Sequence, residues 1–544
     1  MQIEEREPLS SDEENAIENL SLEHVIHECG SFHRYQFIHF FFLSLFPIAS
    51  GILNFYYVFG AAENPYTCQV PNTTHQSLHI EISPSQCSYN ITDKWNRTIE
   101  SRPCRIWKYD RSVFGETFTS EANFICERSI HRSLLATMLQ IGAMLIFFTG
   151  HIIDTIGRRR SIHLITALLL ITSLITQACL QFVPMSINQK FGLLLINQLI
   201  SGIDTFMVSF LLLMEITTSV YATFVGNLAL VAFAVGEIVI TGMAYVCRDW
   251  LRLKWVITVY VLALVPYLYY VPESPRWLLT KHRYVELEKL LRQMARCNRR
   301  PESRWFPIYR YVVDNHRKQR EINKNRTSKL SFTARAHRFL THIPTMSKLF
   351  ITGYIGFITL LLYMKISYNL GAMEEISPYI NIIIGAVAEA VGYIIPSLFM
   401  IYFGRKPVFI LFLLFTALYL SIAPLTIRQD RYVIVIIAQL GKFAISAAVC
   451  VTYIFVPELF PTSIRGTGMG FFILLSRFGS TIAPMIDAKI RHNHLLETYT
   501  YYLYAFLTFL CVLLTFLLPE TRNVPLADTL DYTSKKTKKA SSNT

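Results

Sequence analysis

Five charged residues interrupt apolar stretches of the sequence that are long enough to cross a lipid bilayer. Three are acidic and two are basic: Asp204, Glu237, Glu389, Lys442 and Arg477. A charge at the centre of a membrane-spanning helix costs about 2.5–3.5 kcal/mol, so such residues usually face the interior of a helix bundle. Their number and mixed sign predict an ion-binding site inside the membrane, built by several helices.

Arg477 and Glu389 are the two charges that we expect to bind a substrate directly. Arg477 follows Arg465 by 12 residues, roughly 18 Å of helix, and Glu389 precedes Gly404 by 15 residues, roughly 22 Å. Opposite charges at similar depth suit a zwitterion, whose ammonium would meet Glu389 and whose carboxylate would meet Arg477. A structural ion pair is the alternative for both, and we favour it for the other three charges.

Tyrosines supply a second kind of partner for an amine. Tyr393 lies four residues after Glu389 and therefore on the same helix face, while Tyr363 and Tyr453 lie in other apolar stretches. An ammonium against an aromatic ring gains roughly 0.5–2 kcal/mol. Lys365 stands near the end of its stretch, and we expect its side chain to extend toward the membrane surface.

Motifs of covalent or metal chemistry are missing from the sequence. It contains no GxSxG, HExxH or Walker motif, and no clustered His/Cys spacing typical of a metal site. GTGMG at residues 466–470 fits small residues that let helices pack closely. We therefore expect neither an enzyme nor a bound cofactor or metal.

A second group of charges lies at the ends of the apolar stretches and repeats along the chain. GHIIDTIGRRR at residues 150–160 corresponds to YFGRKP at 402–407, and PESPRWLL from Pro272 corresponds to PETRNVPL from Pro519, both with an offset of 247 residues. Charges beside helix ends interact by about 0.3–1 kcal/mol each, so such pairs can favour one conformation. The candidate gating residues are Asp154, Gly157, Arg158, Arg159, Glu273, Arg276, Glu458, Arg465 and Glu520.

The two copies of this pattern differ at charged positions. Ser397 and Ile401 stand at the Gly and Asp positions of the second copy, and Ala222 stands where the other half has Arg465. We therefore expect any gating network to be asymmetric between the halves.

The composition requires a membrane protein. Hydrophobic residues make up 52% of the 544 residues and charged residues only 16%, against about 25% charged in soluble proteins. The predicted spans lie near residues 35–59, 131–152, 162–181, 193–214, 222–244, 254–271, 350–368, 377–402, 407–427, 432–455, 467–487 and 496–518. The predicted fold class is an all-α membrane protein with twelve transmembrane helices in two six-helix repeats, and with its site between the halves.

The basic charge is concentrated in one loop. Residues 274–348 contain 19 Lys/Arg and 5 Asp/Glu, a surplus that accounts for the net charge of +13. This distribution is typical of a cytoplasmic loop and not of nucleic-acid binding, and it places both termini in the cytoplasm. Arg248, Arg252 and Lys254, between the fifth and sixth spans, violate the rule locally.

The expected organisation has six parts. They are a cytoplasmic N-terminal segment (1–34), a first half (35–273) that includes an exported loop (61–130), the basic loop (274–348), a second half (349–519) and a basic tail (520–544).

The exported loop has the features of an oxidising compartment. It contains 7 Lys/Arg and 8 Asp/Glu, and therefore lacks the cationic bias of the basic loop. Four cysteines allow three disulfide pairings, among which the sequence does not choose. The cysteines are Cys68, Cys87, Cys104 and Cys126, and the glycosylation sequons are at Asn72, Asn90 and Asn96.

Together these motifs resemble the major facilitator superfamily and, within it, the organic cation/anion/carnitine transporter family of solute carriers. GHIIDTIGRRR is similar to the superfamily loop G-x-x-x-D-R-x-G-R-R, with Thr155 in place of its first arginine. PESPRWLL, PELFPTSIRGTGMG and the four-cysteine loop ending in CRIWKYDRSVFGETFTSEANFIC are more specific to the family. The resemblance implies a plasma-membrane transporter that works by alternating access, with the first loop stabilising the outward-facing state.

Two positions relate the chain to branches of that family. Arg477, in SRFGS, matches the anion and carnitine branches, and Glu389, in EAVGY, matches the cation and carnitine branches. The resemblance is therefore nearest to carnitine-type members and implies a zwitterion or an amine-bearing cation as substrate. Asp204 and Glu237 depart from the usual pattern and shift the balance toward cations.

Two other functions remain open at this point. One is an organic-anion exchanger that uses Arg477 and Lys442, and the other is a non-transporting sensor or receptor on the same fold. The sequence does not fix a coupling ion such as Na⁺ or H⁺.

Overall fold

The computed structural model describes residues 21–70, 79–83, 86–92, 98–145, 152–203, 205–326, 343–371, 373, 376–426, 430–460, 465–490 and 494–522. Within these residues, eleven helices are long and apolar enough to cross a membrane. They coincide with eleven of the twelve predicted spans. The remaining span, predicted near 131–152, begins with the helix Ser129–Met144 and continues into residues outside the described ones. The all-α prediction is confirmed for the membrane-spanning part.

The helices follow one another with short connections in each half. The first half contains α1 (Leu22–Gly30), α2 (Arg34–Gly60), α3 (Phe118–Ala122), α4 (Ser129–Met144), α5 (Arg158–Phe182), α6 (Ile187–Gly202), α7 (Phe206–Ile216), α8 (Ser219–Cys247) and α9 (Trp250–Leu268). Three connecting helices are α10 (Pro275–Thr280), α11 (Tyr284–Cys297) and α12 (Glu302–Arg326). The second half contains α13 (Ile343–Leu370), α14 (Pro378–Phe403), α15 (Arg405–Thr426), α16 (Arg431–Glu458), α17 (Arg465–Ile490) and α18 (His494–Phe516).

The outer faces of the bundle are apolar, as a bilayer requires. On α5, Leu164, Leu168, Ile171 and Ile175 are all exposed and recur at helical spacing. A stripe of this kind would be unfavourable in water and is satisfied by lipid tails.

The loop after α2 forms a small β domain. β1 (Tyr66–Cys68) pairs antiparallel with β5 (Trp107–Tyr109). β2 (His79–Ile82), β3 (Ser88–Thr92) and β4 (Thr98–Pro103) form an antiparallel sheet in that order.

Disulfides join this domain to the bundle and resolve the pairing that the sequence left open. The bonds are Cys68–Cys104 and Cys87–Cys126, and the second ties the domain to the residues just before α4. Of the three sequons, Asn90 lies on β3, while Asn72 and Asn96 lie outside the described residues.

The N-terminal segment contains a helix that the sequence analysis did not predict. Val25, Ile26 and Cys29 of α1 are fully buried, and α1 packs against α11 and α12. Asn298, just after α11, fixes the junction by donating to the Cys29 carbonyl at 2.9 Å and by accepting from the Tyr35 backbone N–H at 2.8 Å. The helices of the basic loop therefore form one packed layer with α1.

The two halves meet along two pairs of helices, α4 with α17 and α8 with α14. Thr137 on α4 donates to the Thr481 carbonyl at 3.3 Å, and Asn227 on α8 donates to Ser397 Oγ at 2.5 Å. Both of these contacts between the halves are polar.

Within the first half, a glycine pair brings α2 and α8 into close contact. A Cβ on Gly236 would collide with the Ile48 carbonyl oxygen and lie 2.9 Å from the Gly51 Cα, whereas a Cβ on Gly242 would meet nothing within 4 Å. Gly236 and Gly242 are both on α8. Only Gly236 must lack a side chain for α2 and α8 to pack this closely.

We expect Gly236→Ala to lower the thermal unfolding midpoint of the detergent-solubilised protein, because overpacking costs about 1–3 kcal/mol. Gly242→Ala is the matched control, and it should leave the midpoint unchanged or raise it, since alanine favours helix by up to about 1 kcal/mol. Equal midpoints for the two variants would contradict the proposed close contact.

Candidate substrate site

Lys442 lies at the centre of a buried group of charges that joins the two halves. Its ammonium forms ion pairs with Glu389 Oε2 and, at 3.5 Å, with Glu237 Oε1. Lys442 is on α16, Glu389 on α14 and Glu237 on α8, so the pairs connect a helix of the first half with two helices of the second. Their exposed fractions are 0%, 0% and 1%. We call these three residues the charge cluster.

Hydroxyl groups and aromatic rings complete the surroundings of the charge cluster. Tyr363 and Tyr393 both donate to Glu389 Oε1, at 2.8 and 2.6 Å, and Lys442 donates to Ser367 Oγ at 2.5 Å. Lys442 Nζ also lies 4.4 Å from the ring centroid of Tyr363 and 5.4 Å from that of Phe55. Carboxylates and tyrosine faces were predicted as partners of a substrate amine; here they surround an amine of the protein.

Local sequence explains why these groups converge. Glu389 and Tyr393 are four residues apart on α14, and Tyr363 and Ser367 are four apart on α13, so each pair shares one helix face. Gly392 lets α14 approach α16 closely, because a Cβ there would lie 2.9 Å from the Phe443 carbonyl oxygen.

The charge cluster has one more negative charge than positive. Glu237 interacts electrostatically with Glu389 as well as with Lys442, and the two carboxylates repel each other. Breaking a buried ion pair by removing one partner costs about 3–5 kcal/mol, because the remaining charge has lost its compensation. The Lys442 ammonium therefore compensates the two carboxylates in the observed arrangement of the halves.

Arg477 lies in a different part of the interface from the charge cluster. It is half-buried on α17, and among the described residues no side chain lies within hydrogen-bonding or ion-pair distance of its guanidinium. It interacts electrostatically with Tyr368 of α13, whose hydroxyl accepts from Gln140 at 3.5 Å. Arg477 and Glu389 therefore do not pair with each other, and the Arg477 guanidinium has no salt-bridge partner in the described part of the chain.

Tyr453 is a predicted site residue that makes no hydrogen bond or ion pair with the charge cluster among the described contacts. Tyr453 packs edge-on against Phe472, with ring centroids 6.3 Å apart. Asp204 lies outside the described residues.

Two lysines differ from their predicted positions. Lys365 was expected to extend toward the membrane surface, but it is buried and forms an ion pair with Asp487 of α17. Lys254, assigned to a connecting loop, is buried in α9, donates to Asn197 Oδ1 and lies 4.6 Å from the Tyr56 ring. In both cases a partner on another helix offsets part of the cost of burying the ammonium.

Ser367 and Phe55 belong to the site but were not predicted. The position of Ser367 four residues after Tyr363 could have indicated it. No comparable signal marks Phe55, since the chain contains 38 phenylalanines.

At the ends of the helices near α10, the first half contains a charge network. Arg158 binds Glu215 with two contacts of 2.9 Å and Asp154 at 3.0 Å, and its backbone N–H donates to Glu273 at 2.8 Å. Gly157 precedes α5 with φ +100°, and a Cβ there would lie 2.5 Å from Glu273 Oε2. The predicted association of Asp154, Gly157, Arg158 and Glu273 is therefore present.

The second half repeats this network with different residues. Arg405 binds Glu458 with two contacts of 3.2 Å, and its backbone N–H donates to Glu520 at 3.1 Å. Burial raises the pKa of Glu520, but backbone N–H donors from Arg522, Arg405, Lys406 and Thr521 outweigh it and hold the pKa below its ordinary value.

The predicted asymmetry between the two networks is only partly correct. Arg405 follows Arg158 by the repeat offset of 247 residues, and the pairing of Arg405 with Glu458 reproduces that of Arg158 with Glu215. Within the described residues the networks differ at Asp154, whose counterpart is Ile401, whereas the predicted difference between Ala222 and Arg465 involves a side chain outside the described part. The offset could have identified Arg405 as a network residue.

Two other predicted gating residues, Arg159 and Arg276, are exposed. Arg159 is exposed and donates to the Tyr269 carbonyl at 3.1 Å and, through its backbone N–H, to Glu273 at 3.3 Å. Arg276 is exposed and has no hydrogen-bond or ion-pair partner within the described ranges. Arg465 begins α17, but its side chain is outside the described part.

Comparison with known proteins agrees with this architecture. The sequence profile of the family described as "Sugar (and other) transporter" matches residues 46–529. Solved structures of the xylose transporter XylE from E. coli share the fold: the proton:xylose symporter bound to 6-bromo-6-deoxy-D-glucose superposes with a TM-score of 0.61 at 16% identity, covering 90% of this chain and 98% of that chain. An inward open conformation of XylE gives a TM-score of 0.60 at 14% identity, covering 89% and 97%.

Curated relatives include organic-ion transporters. Organic cation/carnitine transporter 2 of Homo sapiens is 25% identical and covers 92% of each chain. Solute carrier family 22 member 4 of Mus musculus is 26% identical and covers 94% of each chain. The steroid transmembrane transporter SLC22A24 of Microcebus murinus is 26% identical over 83% of this chain and 81% of its own. The predicted resemblance to the organic cation/anion/carnitine family is confirmed.

We expect Arg405→Ala to lower the thermal unfolding midpoint of the purified protein. Hydrogen bonds to charged groups contribute about 1.5–3 kcal/mol, and the roughly one-quarter exposure of Arg405 and Glu458 places this pair at the lower end. Arg276→Ala is the control, since it removes the same charge from an exposed site without a described partner. A similar loss in both variants would show that the second network does not stabilise the fold.

Proposed function

Because the chain belongs to the sugar (and other) transporter family, we propose that it carries a zwitterion or an amine-bearing cation across the plasma membrane by alternating access. The chain is a multi-pass membrane protein and a secondary transporter, not an enzyme, and its substrate is a small organic molecule. The proposed substrate class, the plasma-membrane location and the alternating-access mechanism are inferred from the features of the site.

The observation that carries the proposal is the pair of oppositely charged binding points. The charge cluster has a formal charge of −1 and Arg477 has +1, so the whole site is neutral. A zwitterion fits this distribution because its ammonium and carboxylate find opposite charges and it adds no net charge to a buried site. On α13, Tyr363 contacts the charge cluster and Tyr368 interacts with Arg477. These two tyrosines are five residues apart, roughly 7.5 Å along the helix axis.

The position of the site supports alternating access. The charge cluster lies between the halves, where a rocking motion would open it to either side. The networks of Arg158 and Arg405 each join residues of one half only, so each half can move as a rigid unit. The basic surplus of residues 274–348 supports a cytoplasmic location for α10 to α12, by the positive-inside rule.

Two rivals make different predictions. An organic-anion exchanger would use Arg477 and Lys442 together, but Lys442 is committed to two carboxylates, which leaves Arg477 as a single cation beside an anionic cluster. A sensor or receptor on the same fold would bind its ligand without saturable uptake. The names of the organic cation/carnitine relatives favour the transporter of amines.

We expect Arg477→Ala to reduce uptake of carnitine, a zwitterion, at least about tenfold, while uptake of tetraethylammonium changes little. Loss of one charged hydrogen-bonding contact of about 1.5–3 kcal/mol corresponds to this range. Tracer uptake into proteoliposomes of the wild type and the variant measures both. Equal loss of the two substrates would assign Arg477 a structural role.

Uptake of several substrates by the wild-type protein also distinguishes the proposed transporter from the anion exchanger and the receptor. Uptake of carnitine or tetraethylammonium supports the proposal, whereas saturable uptake of p-aminohippurate alone would support the anion exchanger. Binding of a ligand with no uptake would favour the receptor. Glu389→Gln is the complementary variant, and it should impair carnitine and tetraethylammonium alike, because both present a cation to the same carboxylate.

A further inference from the structure

We infer that Lys442 is a tethered cation that occupies the amine position of the site when no substrate is bound, and that it thereby allows the empty carrier to close and reorient. The inference rests on the proposed transport function. It assigns to Lys442 one step of the transport cycle, the closure and return of the empty carrier. A carrier of this kind can perform net uptake, since its empty form can return across the membrane.

The partners of the Lys442 ammonium are those that a substrate amine requires. It contacts two carboxylates, Glu389 and Glu237, and one hydroxyl, that of Ser367. The rings of Tyr363 and Phe55 lie at cation–π distance from it. The exposed fraction of Lys442 is 0%, so the ammonium is enclosed by these partners and not by solvent. An incoming amine must therefore displace it.

Lys442 differs from the other buried lysines by the helices that it connects. Within the described ranges the buried lysines are Lys254, Lys365 and Lys442. Lys254 contacts Asn197 and Tyr56, both in the first half. Lys365 pairs with Asp487, and both lie in the second half. Lys442 alone among the three bridges the halves, through Glu237, so only its ion pair forms and breaks as the halves close and open.

Closing the empty site without this lysine would bury two facing carboxylates that lack a cation. Burial of unpaired charge is strongly unfavourable. When a substrate is bound, its own ammonium supplies the missing cation, and the lysine is not needed for closure. Loss of the Lys442 charge should therefore block the return of the empty carrier more than the passage of the loaded carrier.

The test compares net uptake with exchange in Lys442→Met proteoliposomes, with radiolabelled carnitine as the probe. We expect uptake into carnitine-free vesicles to fall at least about tenfold, while uptake into carnitine-loaded vesicles falls no more than about threefold, which corresponds to a selective barrier on the empty step. Lys442→Arg, which keeps a cation, should retain most of the net uptake. Lys254→Met, a buried lysine within one half, is the matched control and should leave the ratio of exchange to net uptake unchanged.

A double variant keeps the test valid if Lys442→Met does not fold. Lys442→Met/Glu237→Gln restores the formal charge of −1 and relieves the repulsion between carboxylates, but it still lacks the tethered cation; we expect the same selective loss of net uptake. The inference would be overturned if a folded variant kept the wild-type ratio of exchange to net uptake, or if it lost exchange and net uptake equally. If the wild type transports no carnitine in either assay, the proposed substrate fails instead, and this outcome is separate because it appears before any variant is made.

Discussion

The cost of burying charge in a low-dielectric interior governs the organisation of this protein. Glu237, Glu389 and Lys442 are almost completely inaccessible to solvent, and none could stay there ionised alone. The lysine compensates both carboxylates only if α8, α14 and α16 lie side by side, and its pair with Glu237 requires contact between the two halves. Tyr363 and Tyr393 add hydrogen bonds to Glu389, which reduces the remaining penalty for the extra negative charge. The charge cluster therefore stabilises the observed contact between the halves, and in the proposed cycle its pair with Glu237 would be lost on opening.

The ion pairs and polar contacts form two groups: those within one half and those between the two halves. Arg158 with Glu215 and Arg405 with Glu458 have nearly the same geometry at equivalent places, and each holds helices of its own half. The contact from Asn227 to Ser397 and the pair from Lys442 to Glu237 instead cross the interface. In the proposed alternating-access cycle, the pairs within each half would persist while the contacts across the interface would break and re-form.

Periodicity and charge burial made much of this architecture predictable. The spans followed from apolar length, and the cost of isolated intramembrane charge predicted that some of the five charges would pair with each other or with substrate. The structure pairs Lys442 with Glu237 and Glu389, whereas Arg477, predicted beside Glu389, does not pair with it. The sequence did not predict which residue each charge would pair with. Sequence separation places residues on a helix but not on neighbouring helices, so neither the pairing of Lys365 with Asp487 nor the buried position of Lys254 could be read from it. The N-terminal α1 was missed because its apolar residues are few and become informative only beside α11 and α12.

The tethered lysine also bears on which amines can be carried. Lys442 is covalently held beside its carboxylates, so a substrate competes with an amine at an effective concentration that for short tethers reaches at least about the millimolar range. An amine with no further anchor has little advantage over the lysine in that competition. A zwitterion has one, because its carboxylate can reach Arg477, a cation without a described salt-bridge partner. Under the proposed mechanism, Arg477 would provide the binding energy that lets a zwitterion displace Lys442. The two cations would then act in sequence: Lys442 would keep the empty site closed, and Arg477 would select the ligand that opens it.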